Sequence, residues 1–313
     1  MTAVFVHGAL ETDRLWDRVL PLLDADSVAL RLPGHAASRP DGFPATKDAY
    51  AAWLAGSVRQ VTGPVDLVGH GWGGLLVLHA VTSLELPVRS WVVDEAGAFH
   101  PDFAVSDVER TWQTPGAGER WMSAVRAAPP TSPGGAAGRL ALLGVPSPQA
   151  AAIGAELDDT MSRCVLDLAR SAIPNARCGW PVPAGPATGT GLVIVAGADP
   201  FDQNGLAQQV ALDLSAPLRR LDGLALLDGR GPGAGPPYAS RGGAAHAPAA
   251  CPGAQQAHAG VIVRWVVGDR ARYWPPGRPH APRGRPWRPA PRAAAPGRGS
   301  RPARGPQGLV LEA

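Results

Sequence analysis

An α/β fold, with a mostly parallel sheet and helices on both faces, is predicted by three observations. Short continuous apolar runs recur through the first two-thirds of the 313-residue chain, as strands buried on both faces require. Segments with apolar residues at helical spacing separate them. Glycine and proline punctuate the joins, and this alternation implies parallel strands linked by helical crossovers.

The first run, Ala3-Val4-Phe5-Val6, is closed by His7-Gly8. Leu15, Trp16, Val19, Leu20, Leu22 and Leu23 then recur at helical spacing, with Thr12 or Asp13 available as N-cap. Ser27 to Leu32 forms a second strand, closed by Pro33-Gly34. From Thr46, the residues Tyr50, Trp53, Leu54, Val58 and Val61 make one apolar helix face. Pro64 to Val81 reads as strand, tight glycine turn and helix, and Val88 to Val93 as another strand. Residues 95–188 break the alternation with short helical stretches, three tryptophans and several Pro/Gly breaks, so an inserted helical segment is expected. A buried strand resumes at Gly191–Ala196, followed by a helix around Gly205–Leu214 and a last strand at Leu218–Leu221.

Composition divides the chain. Its 45% hydrophobic content supports a sizeable core, but the formal charge of +3 hides an asymmetry. Residues 1–228 carry a net −8 and residues 229–313 a net +11. In the latter part Gly, Pro, Ala and Arg dominate, with ten arginines from Arg270 to Arg304. So little apolar surface cannot offset chain entropy, and disorder is expected there. Only Tyr273, Trp274 and Trp287 interleave the arginines, so nucleic acid is not an expected partner. Cys164, Cys178 and Cys251 have no metal-ligand spacing, and neither a metal nor a cofactor is expected. No signal-peptide pattern opens the chain, and no apolar run approaches the roughly 20 residues that cross a bilayer. A soluble, cytoplasmic protein without a membrane partner is therefore expected.

The glycine turn "GHGWGG" admits two uses. Gly69, Gly71 and Gly74 fit G-x-G-x-x-G, which cradles a dinucleotide pyrophosphate at a helix N-terminus. Asp94 then ends the next strand about where an acidic residue would meet a ribose hydroxyl. The same turn fits a nucleophile elbow, with Gly69 and Gly73 flanking a nucleophile at position 71. His70 and Trp72 are bulky for a site that needs bare backbone, and two strand units precede a fingerprint that usually opens its fold.

The elbow reading also accounts for the surrounding motifs. "VFVHGALETDRLWDRVLPLL", "RLPGHAASRPDG", "GHGWGG" and "GADPFD" resemble those of the α/β-hydrolase fold superfamily, in its haloalkane dehalogenase and epoxide hydrolase branch. The resemblance covers about residues 1–228. It implies a core over residues 1–98 and 189–228, a helical lid over 99–188, and a tail over 229–313. It implies an oxyanion hole from the amides of Ala9 or Leu10 and of Trp72. It assigns the acid that orients a catalytic histidine to Asp199, with Asp94 the alternative. The substrate would be a small apolar ester or haloalkane, cleaved through a covalent enzyme ester. Epoxide opening is disfavoured, because lids of that kind use tyrosines and Tyr50, Tyr238 and Tyr273 all lie outside the lid.

Two positions depart from that pattern. Gly71 has no atom to attack with, so the covalent route lacks its first step. No histidine follows Leu221 in "LDGLALLDGRGPGAG". A one-nucleotide shift within the codon of Ala225 permits His, then Trp-Met-Ala-Glu-Asp-Pro, in series, and the acidic residues also thin out there. Residues from about 225 onward are therefore expected to be out of frame. The chain as written should be inactive or very weak, or a non-catalytic ligand-binding protein on the same fold.

His7, His100, Trp112, Trp121 and Trp180 are candidates to line the substrate cavity. His7 and His70 are otherwise read as loop residues, His35 as marking a loop, and His79 as packed. Asp66 is expected to face solvent at its strand start.

Overall fold

The alternating strands assemble into one six-stranded sheet in which every neighbouring pair runs parallel. The computed structural model describes residues 1–181, 187–196, 203 and 205–221. The expected tail beyond residue 228 lies outside them, as does Asp199.

In chain order the elements are β1 (Thr2–Val6), β2 (Asp26–Leu30), α1 (Lys47–Arg59), β3 (Val65–Gly69), α2 (Trp72–Ser83) and β4 (Ser90–Val93). Five helices follow: α3 (Asp107–Gln113), α4 (Ala117–Ala127), α5 (Ala136–Leu142), α6 (Ser147–Ala155) and α7 (Asp159–Arg170). Then come β5 (Thr190–Ala196), α8 (Leu206–Asp213) and β6 (Leu218–Leu221). The strand order is β2-β1-β3-β4-β5-β6. The chain steps from β1 to one side and then returns past it to β3, so the order reverses between β1 and β3. In open α/β sheets, ligands bind outside the carboxyl ends of the strands at such a reversal.

Alternation along β1 divides the core in two. Val4 and Val6 join the cluster with Tyr50 and Leu54 of α1 and Leu76 and Val77 of α2. Ala3 and Phe5 point the other way, into a cluster with Leu15, Trp16, Val68 and Ile194. To that second cluster α5 and α6 contribute Leu140, Ala150 and Ile153. The inserted helices thus complete the second face of the sheet as well as standing between β4 and β5. Local signals define several helix starts. Thr46 Oγ1 accepts from Ala49 N at 3.3 Å at the start of α1. Ser106 and Glu109 form a reciprocal capping box at the start of α3.

Two expectations are corrected. The helix expected over Leu15–Leu23 is instead two 3-10 turns, Asp13–Trp16 and Leu20–Leu22. Pro21 lacks the amide a continuing helix would use and crowds the preceding turn. Thr12 does not cap, because its hydroxyl donates to Glu156 Oε2 at 2.7 Å. Asp66 is not at the solvent but only 1% exposed. β3 lies inside the sheet, and its carboxylate is compensated by the Arg89 guanidinium and the Ser90 hydroxyl. Buried carboxylates persist when paired and hydrogen-bonded in this way.

Candidate active site

Register brings the elements of the site level. Val6 of β1 pairs with Gly69 of β3, and Gly69 with Val93 of β4. The residues just past these pairs, His7, His70 and Asp94, therefore lie in a row along the carboxyl edge of the sheet, at the reversal in strand order. His70 N donates to Val6 O at 3.0 Å, which ties the turn to the end of β1.

Gly71 sits between β3 and α2 with φ +54° and ψ −125°. This conformation is strained for any residue with a side chain and is found where a site demands it. A Cβ built on Gly71 would nevertheless stand 3.6 Å from its nearest neighbours, Glu95 Oε2 and Gly8 Cα. Gly73 is the opposite case. A Cβ there would lie 2.4 Å from Val6 O and 2.6 Å from His7 O, so close helix-to-strand packing requires glycine. Helix bonding begins with Gly74 N to His70 O and Leu75 N to Gly71 O. The amide of Trp72 thus belongs to the first turn, where a helix has no internal acceptor to offer.

The turn is fastened by a buried charged chain. Asp94 Oδ2 accepts from His70 Nδ1 at 2.6 Å, and Asp94 Oδ1 accepts from Gly71 N at 3.1 Å. Glu11 Oε1 lies 3.2 Å from His70 Nε2, and Glu11 Oε2 accepts from Gly8 N at 2.7 Å. Burial depresses the basicity of the His70 imidazole, but the Asp94 and Glu11 carboxylates outweigh it and hold its pKa well above the ordinary value. Burial raises the Glu11 carboxyl, and the His70 charge and hydrogen bond bring it net below its ordinary value. His70 is therefore an imidazolium with both nitrogens engaged at neutral pH.

His7 is fully buried, with Nδ1 on Gly8 O at 2.8 Å and Nε2 accepting from Leu32 N at 3.2 Å. Burial, and then His35, lower its pKa to about 3. A neutral ring with one donor and one acceptor satisfies both bonds. His35 is also buried, and donates to Ala9 O at 2.9 Å, which anchors the loop after β1.

A narrow cleft beside the turn is lined by Trp72, Leu75, Phe103, Glu109 and Gln113, among others. The other residues singled out for a cavity are placed elsewhere. Trp112 and Trp121 meet edge to face at 5.4 Å. Trp180 stacks on His79 at 4.1 Å and donates to Asp48 Oδ1 at 2.6 Å. His100 Nδ1 accepts from Asp102 N at 3.1 Å. The structure thus brings Gly71, Trp72 and Asp94 together and leaves His7, His100, Trp112, Trp121 and Trp180 off this cleft. Among the described residues no cluster of His, Cys, Asp or Glu could hold a metal ion, and no helix is long and apolar enough to cross a membrane.

Sequence reasoning missed Glu11 and Glu95 and underrated His70. Glu11 lies in a loop that reads as ordinary polar surface, and only tertiary packing buries it. The one available signal was position, since all three residues fall within a few places of a strand end.

The chain belongs to the alpha/beta hydrolase family, which is matched over residues 3–231. Among solved structures it is similar in fold to haloalkane dehalogenase DbeA from Bradyrhizobium elkani USDA94, at 17% identity and a TM-score of 0.56. That match covers 87% of this chain and 90% of that one. It is similar to the putative ancestral haloalkane dehalogenase AncHLD2, at 18% identity and a TM-score of 0.54, covering 87% and 91%. Epoxide hydrolase A from Mycobacterium thermoresistibile is 18% identical with a TM-score of 0.53, covering 75% and 85%. No curated protein sequence matches the chain.

Proposed function

We propose that this chain carries the elbow of a covalent hydrolase with the attacking side chain removed, from a lineage acting on small apolar esters or haloalkanes. One observation carries the reading. Gly73 is required by close backbone contact, whereas Gly71 occupies a strained conformation in which a Cβ would meet only ordinary contacts. A turn built only for packing would have no reason to hold a strained backbone where a Cβ is tolerated.

In this reading the amides of Trp72 and of Ala9 or Leu10 form the oxyanion hole, and α3 to α7 include the lid. The approach of Gly8 to position 71 supports the first assignment. Asp94, which accepts from His70 and Gly71, is tied up as a structural acid, which favours Asp199 as the partner of a catalytic histidine. That histidine we place in a C-terminal region read out of frame from about residue 225. Resequencing the coding DNA across Gly223–Asp228 tests this, and an intact frame there refutes it.

The elbow itself is tested by Gly71→Asp and Gly71→Ser variants assayed with haloalkanes and p-nitrophenyl esters. Aspartate needs no base to become a nucleophile, so it should alkylate in a single turnover and stop at the ester. The second reading is a non-catalytic ligand-binding protein, whose ligand would have to widen the narrow cleft beside Trp72. It requires tight binding of an apolar ligand by the parent chain and no adduct in either variant.

A further inference from the structure

We propose that the cleft beside Trp72 is a binding site for a primary ammonium group, received by Glu109 and Gln113 of α3. The site itself stands on the cleft alone. That the ammonium belongs to a substrate, as the far end of an otherwise apolar ester or haloalkane, rests on the elbow reading above.

Much of the cleft wall is apolar, with Leu75, Ala98 and Phe103 beside Trp72. Glu109 and Gln113 interrupt it. They stand one helical turn apart on α3, at the i, i+4 spacing that puts two side chains on one face. Each has one polar atom committed and one left over. Glu109 Oε2 accepts from Ser106 N at 3.0 Å and from Ser106 Oγ at 3.3 Å. Gln113 Nε2 donates to Ala172 O at 3.1 Å. A carbonyl can only accept, so that bond also fixes which way the amide points. Among the described residues no donor reaches the remaining oxygen of either side chain. The cation of the same helix, Arg110, is engaged by Asp107 and by the Val105 carbonyl. Burial raises the Glu109 carboxyl above its ordinary value, and a cation bound to it would favour the ionised form again.

Those two acceptors define the ligand. A primary ammonium carries three N–H donors and a positive charge, which answers two acceptor oxygens, one of them anionic. A hydroxyl offers one donor and no charge, and a trimethylammonium offers charge and no donor. The cleft is narrow, so an unbranched alkyl stem demands the least widening.

The test titrates the full chain with n-hexylammonium, 1-hexanol and hexyltrimethylammonium, read by calorimetry. In the parent, n-hexylammonium should bind about tenfold tighter than either of the others, as charge-assisted hydrogen bonds require. Glu109→Gln removes the charge but keeps a residue that serves the capping box. It should abolish the preference, with an unchanged circular dichroism spectrum. Gln113→Leu should lower the preference in part, and it carries the test if Glu109→Gln fails to fold. Equal affinities in the parent, no binding of n-hexylammonium, or a preference that survives these substitutions overturns the proposal. The elbow is separated from it by Gly71→Asp, whose carboxylate oxygen would displace bromide from 1-bromohexane or 6-bromohexylammonium, the charged reagent reacting faster. If Gly71→Asp is alkylated but no ammonium preference appears, the ammonium site fails and the elbow stands. If n-hexylammonium binds as expected and Gly71→Asp reacts with neither bromide, the elbow fails and the ammonium site stands.

Discussion

His70 shows how one side chain can fix a site without taking part in its chemistry. Its two nitrogens link a carboxylate from the loop after β1 to one from the end of β4, and those carboxylates in turn hold Gly8 N and Gly71 N. Removing the imidazolium leaves two buried carboxylates without a cation between them. His70→Ala should therefore destabilise the fold by about 3–5 kcal/mol, read as a shift in the urea midpoint. The pH dependence has a definite sign. The His70 pKa is raised on folding. Its contribution is complete below the ordinary histidine value of about 6.5 and is lost as pH rises through the raised one. Glu11 is lowered on folding, so its contribution is present above the ordinary carboxyl value and is lost as pH falls. Parent stability should decline on the alkaline side, and His70→Ala should flatten that decline. An unchanged midpoint would show that the cluster is not a latch. None of this was legible in the sequence, because Glu11 and Asp94 are 83 residues apart and only strand register brings them to the same histidine.

At the scale of elements, the strand–turn–helix of β3 and α2 was legible because three constraints coincide in a few residues. An apolar run, a glycine-rich turn and a second apolar run allow few folds. The two glycines of that turn differ in a way that can be measured. Gly73→Ala drives a Cβ into the carbonyls of Val6 and His7, so α2 must move off β1. Gly71→Ala meets only ordinary contacts, at 3.6 Å, but keeps a strained backbone, at about 1–3 kcal/mol. Thermal melts should show Gly71→Ala folded with a modest loss and Gly73→Ala far more damaged. Equal losses would mean that position 71 is packed as tightly as position 73. The segment after β1 was misread for a related reason. Apolar spacing alone suggested a helix, but Pro21 and the pull of Glu156 on Thr12 turned it into two 3-10 turns. The burial of Asp66 was hidden in the same way, since β3 reads as a strand whose start could be exposed until Arg89 and Ser90 are seen beside it.

Over the described residues, the strand order is that of a parallel α/β sheet, and the sequence motifs anticipated that architecture. Buried neutral histidines should make this fold acid-labile. Burial, the leading cause in each case, lowers His7 to about 3 and His35 and His79 to about 4. The unfolded chain binds protons at these residues from about pH 6.5 downward, while the folded chain resists. Stability should therefore fall as pH drops from about 6.5 towards 4, read as a falling Tm, and a flat profile would contradict that burial. The proposed elbow is tested most directly by intact-mass spectrometry of Gly71→Asp incubated with 1-bromohexane. The assay belongs at about pH 8.5, where an aspartate side chain is ionised. The expected result is one hexyl group per folded chain, located on residue 71 and absent from the parent. A folded Gly71→Asp chain that stays unmodified, or an adduct on any other residue, would contradict an elbow built to hold a nucleophile.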